Sequence, residues 1–322
     1  MPFGPRPGRG EAARRALHAE VDRLAHDLRA PIGAIDEALA ALAKGEGLPP
    51  GLEPEVIFAG GMPRIRPVLV VLASRAGNGH GRGGSGDAEG AERPDAEGAD
   101  AEGTVDVAYV AELLQSAIRL HDLALGRQHG RRRRAARRVL GGAAHLLGAH
   151  HLTLRALEIA RRAPAPEILG DALDALREVS EGQALGESLR GRPATGPEAH
   201  QLAEGHTGAI FAFSCRAGAR LSGAPRPAVT GLGRYGRHVG VAVHLAEDLA
   251  VLERGDDPVM LVSRPALYPV AMAGERDPQV NAIWRQLCGT PDARLAEALR
   301  SGVRDAGGMQ SAREALATEA WA

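Results

Sequence analysis

The densest charge in the chain is an arginine run, Arg131 to Arg134, continued by Arg137 and Arg138. Guanidinium groups bind phosphate oxygens and anionic surfaces, so the run reads either as an anion contact or as a solvated helix face. A nucleic-acid or anionic-lipid patch is the weaker reading, because the segment lacks aromatic stacking residues and the formal net charge of the chain is only −1. Of 39 basic residues only Lys44 is a lysine, so any lysine chemistry has one candidate. His145, His150 and His151 have no partner cysteines at zinc-site spacing and read as packing or cavity-lining groups; His121 and His129 carry no stronger signal. Gly79, Gly81 and Gly84 satisfy GxGxxG after the strand-like Val68 to Leu72, but acidic, glycine-rich chain follows where a dinucleotide site needs a helix N-terminus. That motif is rejected. Cys215 and Cys288 are too few for a disulfide framework and read as small core residues in a reducing compartment.

These residues need a frame to hold them, and composition narrows it. The chain has 322 residues, 44% of them apolar, but only 4 Phe, 3 Tyr and 2 Trp. Its core must therefore be aliphatic and alanine-rich, which favours packed helices over sheets. Leu17, Val21, Leu24 and Leu28 recur at helical steps within 11–44, with a break expected at Pro31. The run Gly45 to Pro54 reads as loop, and Pro67 to Ala73 as a strand or a buried helical turn. Between Gly77 and Gly103 the chain is almost wholly Gly, Ala, Asp and Glu, too polar to offset its ordering entropy, and is expected to be a disordered acidic insertion. Helical stripes follow from Val105, then over about 135–162, 166–189, 198–222, 227–253 and 279–318. No segment approaches a membrane span of about 18 apolar residues, and the N-terminus has no signal-peptide core. A cytoplasmic protein is expected.

Several segments, in order, resemble the isoprenyl diphosphate synthase (polyprenyl synthetase) family. Gly60-Gly61-Met-Pro-Arg64-Ile-Arg66-Pro67 is similar to its GGKRLRP segment, and Glu112-Leu-Leu-Gln115 through His121-Asp122 to its ELIHTASLIHDD helix. Leu147 to Glu158 resembles LAGDYLLARALE, and Glu181-Gly182-Gln183 matches EGQ. Gly205-His206-Thr207 stands at the KTASLF motif, Leu232 to Asp248 tracks LRRYGRNLGLAFQIVDD, and Gly307-Gly308-Met-Gln-Ser-Ala-Arg also looks familial. The resemblance implies a single all-α domain over 1–322, an isoprenoid-synthase-type helical bundle around a deep apolar cavity, with 77–103 inserted in it. It also implies magnesium ions held by two DDxxD motifs, and basic side chains gripping two diphosphates while isopentenyl diphosphate attacks an allylic cation.

The departures fall on that chemistry. At the first motif Asp122 is followed by Leu123 and Gly126 where carboxylates are expected; at the second the set is Glu247, Asp248 and Val251. Three remnant metal ligands stand for six. A trinuclear magnesium site carrying about +6 would be poorly neutralised by them. Among the diphosphate positions Arg64 and Arg66 persist, Pro63 replaces a lysine, Gln115 replaces the ELIH histidine, His206 replaces the KT lysine beside a retained Thr207, and His244 replaces a glutamine. Arg131 and Arg132 stand near the family's RRGRPT pair. The segment Met260 to Val270 stands for GxDLREGKxTLPV, with Pro265 in the lysine position. Ala117 and Ile118 lie one turn before Asp122, where side-chain size limits product length in the family.

Arginine-for-lysine drift does not explain proline for lysine or leucine for aspartate. The expected function is therefore a catalytically degenerate member of isoprenoid biosynthesis, acting as a non-catalytic subunit beside an active prenyl diphosphate synthase. A divergent active prenyltransferase, condensing an allylic diphosphate with isopentenyl diphosphate on the residual Asp122, Glu247 and Asp248, is the alternative. A prenyl-chain-binding scaffold is a third. The implied partners are a synthase subunit or a second copy of the chain, with isoprenoid diphosphates as ligands and no nucleic acid; magnesium is the implied cofactor of the active reading.

Overall fold

The computed structural model describes residue 26 and residues 28–41, 65–76, 94–124, 131–255 and 257–322, including side chains except those of 94–101 and 131–142. Every element among them is helical. In chain order these are α1 (28–41), α2 (Ile65–Ala76), α3 (Pro94–Ala124), α4 (Arg131–Ala160), α5 (Glu167–Leu189) and α6 (Gly196–Ala203). A π-helical turn, Glu204–Gly208, leads into α7 (Ala209–Leu221) and α8 (Arg226–Glu253). Four shorter segments and a last helix complete the chain: α9 (Pro258–Ser263), α10 (Tyr268–Arg276), α11 (Pro278–Gly289), α12 (Ala293–Asp305) and α13 (Gly308–Trp321).

Two apolar cores divide the bundle. The larger one gathers Val107 to Leu123 of α3 with Ala149 and Leu152 of α4, Ile168 and Val179 of α5, and Ile210 and Phe213 of α7. Alanine is frequent in it, and small side chains let α3 lie along α4, and α7 along α2 and α8. The second core joins the C-terminal end of α8 to α9–α13 through Leu249, Leu252, Trp284 and Leu299. The central elements are fixed by their ends: Thr195 and Glu198 form a reciprocal capping box at α6, and Asp292 accepts from the backbone N–H groups of Arg294 and Leu295 at α12.

Several sequence expectations are corrected. The 67–73 run, open between a strand and a buried helical turn, is the latter, with Leu69, Val70 and Val71 buried in a helix. Pro31 lies inside helical 28–41 instead of breaking it, and burial of Ile35 and Leu39 offsets its missing donor. The supposed disordered stretch 77–103 is helical from Pro94, because Pro at a helix start and the Ala- and Glu-bearing residues after it suit a first turn; residues 77–93, like the expected loop at 45–54, lie outside the described residues. The pattern at 198–222 is split by the π-helical turn, and that at 279–318 by Asp292 and by Gly307, whose φ of 73° is left-handed. Cys215 is buried, with its thiol pushed up to about 12 by burial, whereas Cys288 is only half-buried.

Candidate functional site

A half-open cleft of about 280 Å³ lies where the two cores meet. One wall is α3, which places Gln115, Arg119 and Asp122 on a single face at steps of four and three residues. The opposite wall is α8 with His244 and Glu247, and α5 supplies Gly182, Gln183 and Gly186. His206 and Thr207 enter from the π-helical turn, whose extra residue per turn re-aims side chains, and such turns recur at functional sites. That turn sits close to α5: a Cβ on Gly182 would meet the Gly205 backbone at 2.9 Å. The glycine of the EGQ segment thus holds the turn's backbone against α5. The floor is closed by Met260, Ser263, Arg264, Pro265 and Ala266.

Charged and polar side chains line the cleft together with Leu202, Met260, Pro265 and Ala266, and more of its wall is apolar than polar. Arg66 is buried, donates from Nε to Glu112 Oε1 at 3.0 Å, and lies over the Phe211 ring at 5.8 Å. A buried guanidinium needs such a partner, and with it the arginine is held at the cleft edge with its charge compensated. Ala117 and Ile118 are buried in the larger core and do not line the cleft.

Each residual acid of the two motifs is already engaged. Asp122 accepts from Gln183 Nε2 at 3.3 Å, and its second oxygen lies 3.2 Å from His206 Nε2. Across the cleft, Arg264 donates from Nη2 to Glu247 Oε2 at 2.7 Å and from Nη1 to Asp248 Oδ1. The other Asp248 oxygen accepts the Tyr268 backbone N–H at 2.9 Å. Burial pushes the Asp248 carboxyl above the usual carboxylate range, opposed by the Arg264 charge and the Tyr268 N–H. Arginine stays protonated throughout, and the two carboxylates outweigh the effect of burial and hold its charge more firmly still. The guanidinium is thus the fixed charge of this trio.

His244 stands between the two groups. Its Nδ1 lies 2.9 Å from Thr207 Oγ1, its Nε2 faces Asp248 at 4.0 Å, and its ring meets that of His206 edge-on at 6.1 Å. A proton on Nε2 points toward the carboxylate and leaves Nδ1 to accept from the threonine hydroxyl. Burial first, then the nearby positive charge of Arg264, lowers its pKa to about 3, so the ring is neutral at neutral pH.

Among the sequence-predicted residues, the cleft brings together Arg66, Gln115, Asp122, His206, Thr207, His244 and Glu247, with Asp248 buried immediately behind. Arg64 lies outside the described residues, as do the side chains of Arg131 and Arg132. None of His145, His150 and His151 lines the cleft; His145 is buried in the bundle, and His150 packs edge-on against His121 at 5.8 Å. Arg264, also on the cleft, is not among the sequence-predicted residues, because the family's missing lysine falls on its neighbour Pro265. A basic residue immediately before that proline was the available signal.

The donor set does not fit the magnesium cluster that the resemblance implies. Leu123 and Val251, at positions where carboxylates are expected, are buried in the larger and the second core respectively. Among the described residues no three His, Cys, Asp or Glu side chains converge as a metal-binding set.

The profile of the polyprenyl synthetase family matches residues 55–254. A (2E,6E)-farnesyl diphosphate synthase of Mycobacterium tuberculosis is 32% identical over 191 residues, 58% of this chain and 47% of that protein. Octaprenyl diphosphate synthase of Escherichia coli is 27% identical over 199 residues, 60% of this chain and 54% of its own length. The chain thus matches about half the length of these relatives. In overall shape it is similar to a polyprenyl synthase from Caulobacter crescentus, solved with calcium and isoprenyl diphosphate, at a TM-score of 0.73 and 22% identity over 93% of this chain and 88% of that one. A decaprenyl diphosphate synthase from Rhodobacter capsulatus gives 0.71 and 21% over 92% and 89%. With the family match spanning most of the bundle and the same fold in these solved structures, the chain belongs to the polyprenyl synthetase family.

Proposed function

We propose that this protein is a catalytically degenerate member of the polyprenyl synthetase family that serves as a non-catalytic subunit beside an active prenyl diphosphate synthase. One observation carries the reading: all three carboxylates left from the two acid motifs are engaged by groups of the chain itself, Asp122 by Gln183 and His206, Glu247 and Asp248 by Arg264. A leaving diphosphate needs positive charge delivered at the moment its bond breaks, and here the acids that would gather that charge are spent on internal contacts. The subunit role is supported by Leu147 and Leu154, two helical turns apart on α4, which are 61% and 62% exposed. Large apolar side chains on one helix face suit a subunit contact.

A second reading, a divergent active prenyltransferase, is favoured by the persistence of the cleft with Arg66, Gln115 and Thr207 on its walls and by the named activities of the relatives. Incubating the purified chain with magnesium, isopentenyl diphosphate and farnesyl diphosphate separates the two. Absence of elongated product is expected, and robust turnover by the lone chain refutes degeneracy. Co-expression with a complete synthase should yield a complex that Leu147→Glu with Leu154→Glu weakens; a wild-type chain that never associates refutes the subunit role.

A further inference from the structure

One half of the cleft already contains a cation, and its placement is specific. Arg264 lies on the short connection between α9 and α10, followed by Pro265, and its guanidinium reaches back to α8, where Glu247 and Asp248 are adjacent. Four residues farther along, at the first residue of α10, the Tyr268 N–H donates to the second oxygen of Asp248 at 2.9 Å. This stretch is thus fastened to α8 at two points, and both oxygens of Asp248 are taken. Asp248 is 1% exposed, so water does not substitute for either contact.

We infer that Arg264 is a built-in counter-ion that replaces a divalent cation at Glu247 and Asp248, ordering this side of the cleft without metal and excluding metal while it is in place. Two adjacent carboxylates, Asp248 buried and Glu247 37% exposed at its side chain, repel each other, and the buried one requires a positive partner. A hard cation would supply it only by taking the same oxygens, with six or so ligands in total. The guanidinium occupies those oxygens through two N–H donors, and like charge keeps a second cation away. The position on α8 where a third acid is expected is Val251, which is buried in the second core and supplies no carboxylate. The inference extends the proposed function but does not stand or fall with it, because a chain without turnover can still bind magnesium.

The test uses the full-length chain with no diphosphate present. Melting temperature is followed in a chelator, in millimolar magnesium and in millimolar manganese, and manganese binding is read by electron paramagnetic resonance. Wild type is expected to melt at the same temperature in all three and to bind no manganese at submillimolar concentration. Arg264→Met is expected to melt on the order of 10 °C lower in the chelator and to regain much of that loss in either metal, with manganese binding now visible. Arg264→Lys keeps the charge and should remain indifferent to metal. Wild-type manganese binding that Asp248→Asn abolishes overturns the inference, as does a folded Arg264→Met that ignores metal. Should Arg264→Met fail to fold, the wild-type manganese titration and the Arg264→Lys melts decide the question.

Discussion

The two acid remnants line one cleft, yet different chemistry holds them. Asp122 is followed by Leu123, not by a second acid, and meets a neutral amide from Gln183 and an imidazole, His206, whose side chain is 27% exposed. Glu247 and Asp248 stand together and are held by Arg264, a permanent cation. The difference follows from the number of charges. A single carboxylate, even one as buried as Asp122, is met by donors, whereas two side by side, one of them 1% exposed, also repel each other and need a charge that cannot be lost. One side of the cleft is therefore adjustable and the other is fixed.

The strongest way to break that contrast is Asp248→Asn. The amide keeps the size of the side chain but removes the charge that Arg264 faces, and its NH2 group opposes either the guanidinium or the Tyr268 N–H. Breaking one partner of a buried pair is worth about 3 kcal/mol or more, read as a shift of the midpoint in urea denaturation. A loss under about 1 kcal/mol would show that the pair is solvated and worth no more than a surface contact.

His244 gives the next effect, through pH. In the unfolded chain its ring takes a proton below about 6.5, while the folded ring resists until about 3, held there by burial first and then by the charge of Arg264. Between those values the unfolded state binds more protons, so stability falls as pH falls, by up to about 1.4 kcal/mol per pH unit, and the contribution is fully present only above about 6.5. His244→Gln removes this slope. Denaturation series at pH 7, 6 and 5 should show the difference between wild type and variant shrinking toward acid. A difference independent of pH would mean that the ring protonates in the folded protein as it does in water.

Much of this frame was legible in the sequence. The apolar stripe of α8 was placed almost to the residue, because Pro225 before it and Gly255 after it punctuate a clear helical period. Leu123 and Val251 were legible as losses of acid, and the structure adds that each is a core residue. Arg264 was not legible as a partner, because its contacts depend on how a short, irregular connection folds back onto α8, and no periodicity encodes that. The Asp122–His206 contact spans 84 positions in sequence, and the π-helical turn that aims His206 has no residue signature beyond its glycines. Local pattern therefore carried the helices, while the pairing inside the cleft depended on tertiary closure.

The smallest expected effect is the counterpart on the other wall. In Asp122→Asn the side-chain carbonyl can still accept from Gln183, and the new NH2 can donate to His206 Nε2 if that nitrogen carries no proton. Both contacts survive in neutral form, and His206 has access to water, so the loss should be about 1 kcal/mol or less, the net worth of one ordinary hydrogen bond. The informative quantity is the ratio of this loss to that of Asp248→Asn, measured in the same buffer by urea denaturation. A severalfold smaller effect at Asp122 is the signature of a donor-satisfied acid opposite a charge-locked pair. Equal losses would mean that His206 serves as a full cation, and the two walls of the cleft would then be neutralised by the same chemistry.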